Sequence, residues 1–295
     1  MRITQAMVVE TTMRNMEKNL SRTEQLQNQI TSGSQLTKPS DNPVGTARAL
    51  QLQEGVDQTS QFLGNIDQAR SWLETADSSL DAVTSLLHRS RELAVQASNG
   101  TISAQDRVAI LSEVQQLQQH ALDLSHAKYG QYFLFSGTRS DQPGYVQAKS
   151  SSVLPAAYQG NRNQVMREIS PGVSLSVSTD AQATFDPVFA ALDTLATGLA
   201  ANDDATVQGS ITGVDTALNS VLTARAQIGA KTNRLDFLGQ RLESVKVNMT
   251  QLLSDVKDVD MAEAITNFSM AQTTYQASLK ASAQAMQPSL LDYLR

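Results

Sequence analysis

Residues 6–30 read AMVVETTMRNMEKNLSRTEQLQNQI, and residues 261–286 read MAEAITNFSMAQTTYQASLKASAQAM. In both stretches, mostly apolar residues recur at alternating intervals of three and four. This spacing is typical of a coiled coil, in which a narrow apolar stripe along one helix is covered by a partner helix. The two ends are therefore predicted to be matching halves of one assembly interface, formed by Ala6, Val9, Met13, Met16, Leu20, Ile30, Met261, Ile265, Phe268, Tyr275, Leu279 and Met286.

These stripes are thin for the length of helix that they would have to hold. The apolar surface that they bury is too small to offset the conformational entropy lost when two long segments become ordered. We therefore expect both ends to be disordered in a monomer and to fold when neighbouring molecules pack against them. Apolar residues outside the stripes could contact those neighbours, namely Met7, Val8, Leu26, Met270 and Leu290.

Composition limits the class of protein. The chain has 295 residues and 5% aromatic residues, which favours long helices with thin stripes over one bulky core. A formal net charge of -6 makes nucleic acid an improbable partner. The absence of cysteine excludes disulfides and thiol catalysis, and no apolar stretch approaches the roughly 18 residues of a membrane span or resembles a cleaved signal peptide. A cytosolic protein and a protein exported unfolded without a cleaved signal both fit these observations.

Long periodic runs fill most of the middle of the chain. Helical spacing of apolar residues extends over 52–97, 110–124 and 207–256. The segment PSDNP at 39–43 reads as a fixed turn before the first run, and Ser103 to Asp106 resembles a capping box. These features predict rod-forming helices separated by defined ends.

The rhythm changes near residue 131. Turn-forming pairs such as Pro143-Gly144 and Pro171-Gly172 separate short segments of alternating apolar residues, which predicts a small β-rich region at 131–185. Asp186-Pro187 is then predicted to begin a short helix, and Asn202 to Asp204 to begin a long one.

The predicted fold is mainly α: a long antiparallel, coiled-coil-like helical rod with paired N- and C-terminal helices and a small β-rich domain inserted in the middle. Residues 1–38 and 257–295 are expected to form a terminal coiled-coil domain, 39–130 and 186–256 the helical rod, and 131–185 an outer β-rich domain.

The chain shows no recognisable catalytic or metal-binding pattern. Its three histidines lack the four-residue spacing of a helical metal pair, and the acidic cluster at 255–263 lacks the glycine and ligand spacing of a calcium loop. Negative charge at a helix start is favourable for the helix dipole, which accounts for that cluster. We expect no enzymatic activity, no metal and no cofactor.

Several segments carry a family resemblance when they are taken in order. They include MRIT at 1–4, ELAVQASNGT at 92–101, YGQYFLFSGT at 129–138, AQTTYQASL at 271–279 and SLLDYL at 289–294. With these segments, and with SG at 32–33, PSDNP at 39–43 and DVDMAE at 258–263, the chain resembles the bacterial flagellin superfamily, and within it the hook–filament junction proteins.

The resemblance implies a structural adaptor that joins the flagellar hook to the flagellin filament. It implies export in an unfolded state, without a cleaved signal peptide, through the flagellar type III apparatus to the outside of the cell. A terminal coiled coil would line the axial channel and a β-domain would face outwards. The implied partners are hook-associated protein 1, flagellin, further copies of the same chain and a cytoplasmic export chaperone at the C-terminal segment.

Two other functions stay open at the level of sequence. One is flagellin itself, since the final Leu294-Arg295 resembles the end of a flagellin. Three other segments favour the junction proteins: the Arg-Ile-Thr start, residues 132–138 and residues 291–294. The other is a needle-tip or translocator subunit of a secretion system, which also pairs coiled-coil ends with a variable middle.

Overall fold

Helices dominate the architecture. A computed structural model describes residues 5–40, 42–99, 102–147 and 156–285. In these residues the helices are α1 (Gln5–Ser32), α2 (Pro43–Ala97), α3 (Ala104–Ser125), α4 (Ala181–Ala201), α5 (Asp204–Lys257) and α6 (Met261–Ala285). The fold is mainly α with paired terminal helices and a small strand-containing insert, so the predicted fold class is confirmed.

The strands lie between α3 and α4. They are β1 (Lys128–Tyr129), β2 (Tyr132–Phe133), β3 (Tyr145–Gln147), β4 (Ala156–Tyr158), β5 (Met166–Ser170) and β6 (Val173–Ser176). Each strand pairs with its neighbour in sequence, which gives three separate antiparallel hairpins in the described part of the insert.

The described residues belong to two compact units. The smaller unit takes its residues from Met1–Gln58 and Ser244–Arg295, and the larger unit is Thr59–Glu243. Helices α2 and α5 each contribute to both units.

The core of the larger unit follows a seven-residue repeat. Leu73, Leu80 and Leu87 of α2 are buried, and so are Val214 and Val221 of α5, in one continuous apolar cluster. A seven-residue spacing keeps side chains on one face of a helix, so each helix presents one continuous stripe to the other. The periodic runs predicted for these two helices are confirmed in this unit.

An aromatic cluster attaches the insert to α4. Tyr145 of β3 is fully buried, and its ring centroid lies 5.0 Å from those of Phe189 and Tyr158. Its hydroxyl donates a hydrogen bond to Asp186 of α4, with an oxygen–oxygen distance of 2.7 Å. Packing and this bond together fix the position of the β3–β4 hairpin.

The predicted helix start at Asp186-Pro187 is wrong. Helix α4 begins at Ala181, where the Asp180 side chain accepts a hydrogen bond from the Ala183 amide, and Pro187 lies inside the helix. Starting earlier buries Ala181 and Phe185, and this burial outweighs the hydrogen bond that proline cannot donate.

The other predicted helix ends agree with the structure. The Ser103 hydroxyl accepts from the Asp106 amide at the start of α3, as the capping box predicts. Asn202 has a left-handed conformation at the end of α4, and α5 begins two residues later. Helix α2 ends at Ala97.

Within the described ranges, no helix combines the length and the apolar character that crossing a bilayer requires.

Candidate assembly surface

Helices α1 and α6 form an antiparallel pair within the smaller unit. Backbone bonds join the ends of the two helices: the Gln35 amide donates to the Lys257 carbonyl at 2.8 Å, and the Val259 amide donates to the Gly33 carbonyl at 3.1 Å. Gly33 has a φ of +67°, a conformation that favours glycine, and it turns the chain at the end of α1. The pair is thus joined at one end through main-chain contacts.

The contact between the two helices follows one stripe on each. Along α1 and α6 the less exposed positions again alternate at intervals of three and four. Small and polar residues occupy many of them, and Asn19 donates a hydrogen bond to the Ser278 hydroxyl across the contact, at 2.8 Å. We call this set of positions the intramolecular seam; it consists of Val9, Thr12, Met16, Asn19, Thr23, Leu26 and Ile30 on α1 and Ala264, Phe268, Ala271, Tyr275, Ser278 and Ser282 on α6.

The structure divides the predicted stripe into two sets. Some of the predicted residues lie in the seam. At other predicted positions, such as Met13, Leu20, Ile265 and Leu279, the seam instead uses the residue one position earlier. The seam therefore includes Val9, Met16, Ile30, Phe268 and Tyr275 of the predicted interface, whereas Met13, Leu20, Met261, Ile265 and Leu279 are exposed. The Ala6 side chain and Met286 lie outside the described side chains.

Sequence reasoning missed the small seam residues. A pattern of large apolar residues does not include the small or polar residues Thr12, Asn19, Ala264, Ala271 and Ser278. They permit a close approach of the two helices, and Asn19 and Ser278 satisfy each other with a hydrogen bond. The regular spacing of alanine and serine on α6 is the feature that could have identified them.

Several apolar side chains of this pair are left uncovered. Ile265 is 53% exposed, Met270 is 58% exposed and Leu279 is 40% exposed on α6, and Met7 and Met13 are exposed on α1. The sixteen residues from 264 to 279 contain no charged side chain. An exposed helix normally carries charges on its outer side, so this stretch can lose its contact with water at low cost. We call the exposed residues Met261, Ile265 and Leu279, which lie on one side of the helix, the outer α6 face.

The smaller unit has little core of its own. Among its described side chains, Ala264 is the one apolar residue that is fully buried, at 3% exposure. The pair is therefore held by half-buried contacts and a few hydrogen bonds, which give little local stability.

The histidines have no metal-binding arrangement in the described residues. His126 lies with its Nε2 2.7 Å from the Tyr145 carbonyl oxygen, which gives it a structural role. Within the described parts of the chain, no three histidine or acidic side chains are grouped as metal ligands.

Matches to known sequence families show which family of proteins the chain belongs to. The family described as bacterial flagellin N-terminal helical region matches residues 3–140, and the bacterial flagellin C-terminal helical region matches residues 211–294. Together the matches span about three quarters of the chain, which belongs to the bacterial flagellin superfamily. This is a family of flagellar structural proteins and not of enzymes.

Within this family, the chain is similar to a hook-associated protein and to a flagellin over nearly its whole length. It is 27% identical to flagellar hook-associated protein 3 of Escherichia coli (strain K12), over 95% of this chain and 96% of the relative. It is 29% identical to a flagellin of Halalkalibacterium halodurans, over 93% of this chain and 92% of that flagellin. A solved structure from Vibrio parahaemolyticus, described as a flagellar hook-associated protein, is 25% identical and aligns with a TM-score of 0.68 over 74% of this chain and 100% of that one. These comparisons confirm the resemblance found in the sequence motifs.

Proposed function

We propose that this chain is the structural adaptor that joins the flagellar hook, through hook-associated protein 1, to the flagellin filament. It performs no catalysis. Copies of the chain form a ring, and the α1–α6 pair acquires most of its burial from neighbouring subunits.

The outer α6 face is the observation that carries this proposal. It presents Met261, Ile265 and Leu279 to solvent beside a stretch without charge, in a unit with almost no buried apolar side chain. Apolar surface that a protein leaves exposed in this way is suited to binding another protein. Neighbours in a lattice would cover it and would supply the burial that the isolated pair lacks.

The same physics favours export before folding. A pair of helices with little local stability unfolds readily, so the chain can pass a narrow channel and become ordered only after it leaves. We therefore place the working protein outside the cell, exported without a cleaved signal and escorted by a chaperone that binds the C-terminal segment. In this arrangement residues 1–38 and 257–295 form the inner coiled coil, 39–130 with 186–256 the rod, and 131–185 the outward-facing domain.

Flagellin is the second candidate function. The 29% identity to a flagellin over 93% of this chain favours it, since that value is as high as the identity to hook-associated protein 3. A filament subunit would use the same exposed surface, because it also packs its terminal helices among copies of itself.

Electron microscopy of a strain that lacks this chain separates the two candidates. An adaptor predicts intact hooks without filaments, and flagellin shed into the medium. Gold-labelled antibody on the complemented strain should mark one position, at the junction of hook and filament.

The opposite labelling would assign the other function. Label along the whole filament identifies a flagellin, and normal filaments in the deletion strain would overturn both candidates. Re-expression of the unvaried chain is the control, because it must restore attached filaments before any variant is interpreted.

A further inference from the structure

Two segments of opposite charge lie side by side in the larger unit. Residues 67–81 of α2 contain four acidic residues and one basic residue, whereas residues 225–241 of α5 contain four basic residues and one acidic residue. Arg70 pairs with Asp236 at 2.6 Å, and Arg225 pairs with Asp77 at 3.0 Å. These pairs fix the two segments at the same level of the antiparallel helices, and they neutralise the charges that face each other.

The basic segment leaves a second side of α5 unpartnered. Arg234, Phe237 and Arg241 follow one another at intervals of three and four, so they share one side of the helix. Phe237 is 68% exposed, and neither guanidinium has an ion-pair or hydrogen-bond partner among the described residues. Arginine and aromatic side chains are enriched at the energetic centres of protein interfaces. We call these three residues the α5 flank.

The acidic segment presents a matching side on α2. Asp67, Glu74 and Asp81 are exposed, and their seven-residue spacing places them on one side of that helix. Glu74 has no ion-pair partner among the described residues. Asp67 pairs with Arg70 and Asp81 pairs with Arg225, but both carboxylates stay largely exposed to solvent. Ser71, between Asp67 and Glu74, has a small side chain that leaves room for an aromatic ring. We call these three acidic residues the α2 flank.

The two flanks have the same charge spacing. Arg234 and Arg241 are seven residues apart, as are Asp67 and Glu74, which corresponds to about 10.5 Å along a helix in both cases. Two arginines on one helix can therefore meet two carboxylates on another at one register, with Phe237 between them.

We propose that the α5 flank of one copy binds the α2 flank of the next copy in the ring. Each copy offers its α5 flank to one neighbour and its α2 flank to another, and in this arrangement the contact is head-to-tail between identical subunits. Such a contact propagates into a ring or a helical tube and does not stop at a dimer. This inference rests on the proposed function, and it names the surfaces through which copies of the chain recognise each other.

Cysteine crosslinking tests the contact directly, because the natural chain contains no cysteine. The variant carries Glu74→Cys and Phe237→Cys in one chain, is expressed in the deletion strain, and is treated in isolated flagella with a short thiol-reactive crosslinker. A ladder of covalent oligomers of this chain is expected on a denaturing gel. The matched control carries Glu74→Cys with Val108→Cys, since Val108 is a comparably exposed residue on α3, and it should stay monomeric.

Two results would overturn the inference. One is the absence of a ladder in flagella that carry attached filaments. The other is crosslinking of the Phe237 position to a different flagellar protein, which would assign the flank to that partner.

Charge reversal provides a second, independent readout. Arg234→Glu with Arg241→Glu should reduce the fraction of hooks with attached filaments about tenfold, because like charges would then face each other across the contact. Adding Asp67→Arg and Glu74→Arg should restore much of the loss. Arg139→Glu with Arg167→Glu makes the same charge change on the exposed insert and should have no effect.

The controls separate this inference from the proposed function. If the unvaried chain does not restore filaments, the proposed function fails. If it does restore them and the reversal at Arg234 and Arg241 changes nothing, while circular dichroism shows a folded monomer, the contact between flanks is refuted and the function stands.

Discussion

Tyr145 connects the insert to α4 through both its ring and its hydroxyl. The ring is fully buried among Phe135, Phe185 and Phe189, and the hydroxyl donates to Asp186. Truncation to alanine should cost about 3–5 kcal/mol, because it leaves a cavity in the aromatic cluster. Tyr145→Phe should cost about 1–2 kcal/mol, because it removes the hydrogen bond and keeps the ring. Urea denaturation of the full chain measures both, and exposed Tyr132→Phe is the control with no expected change.

The same tyrosine gives the chain a pH dependence on the alkaline side. Burial, followed by the hydrogen bond and charge of Asp186, raises the pKa of Tyr145 above its usual value near 10. Since the fold favours the neutral phenol, this contribution to stability is complete below pH 10 and is lost as the pH rises beyond it. The free energy of unfolding should therefore fall more steeply above pH 10 in the unvaried chain than in Tyr145→Phe. Equal slopes in urea titrations at several pH values would contradict this assignment.

At the scale of elements, ion pairs hold α2 and α5 in one register. Arg70 and Arg91 are 21 residues apart on α2, and their partners Asp236 and Asp215 are 21 residues apart on α5. A constant offset over six helical turns means that every pair forms in the same alignment of the helices. A slip of either helix would break all of them together.

Exchanging one pair tests this alignment. Arg70→Asp alone should lower the free energy of unfolding by about 1 kcal/mol, because two carboxylates would then face each other on a partly exposed surface. Adding Asp236→Arg should recover most of the loss, since the pair is re-formed with reversed polarity. Denaturation at low and high salt measures the effect, which should shrink as salt screens the charges. If Asp236→Arg does not restore the free energy of unfolding, the Arg70–Asp236 ion pair does not help to align α2 with α5.

Helix α6 has one side for its own chain and another side that we assign to neighbours. Leu279→Asp or Met261→Asp should block filament attachment, because each places a charge in a contact that excludes water. The helical content of the monomer should stay unchanged, since both residues are exposed in it. Ala264→Asp should instead disrupt the α1–α6 pair, because Ala264 is buried in the seam.

Lys280→Glu is the matched control for Leu279→Asp, as it changes charge at the adjacent exposed position outside the uncharged stretch. Counts of attached filaments and circular dichroism of the purified chains give the two readouts. Normal attachment with Leu279→Asp would exclude the outer α6 face from assembly.

At the scale of the whole molecule, the sequence predicted most where large apolar residues repeat. The repeats around Leu80 of α2 and Val221 of α5 are long and regular, so burial follows them directly. The predicted start of α4 is wrong because the preference of proline for the first turn of a helix is weaker than the gain from burying Phe185. The terminal seam was predicted only in part. Asn19 and Ala264 were not found, because they pack by small size and hydrogen bonding rather than by apolar bulk. The α5 flank was not predicted, because the net charge of the whole chain is a sum in which basic and acidic segments cancel.

The two units should differ in local stability within one molecule. In the larger unit, fully buried leucines and valines hold α2 and α5, whereas the smaller unit fully buries the single apolar residue Ala264 among its described side chains. Amide hydrogens exchange with solvent through local opening, so those of α1 and α6 should exchange at least about a hundredfold faster than those of the larger unit in a dilute monomer. In isolated flagella, neighbours would cover the outer α6 face, and exchange in both terminal helices should slow while exchange in the larger unit changes little. Mass spectrometry of peptic fragments from the two states measures this difference. Equally slow exchange of both units in the monomer would mean that the terminal pair is stable by itself, and it would remove the physical basis for folding upon assembly.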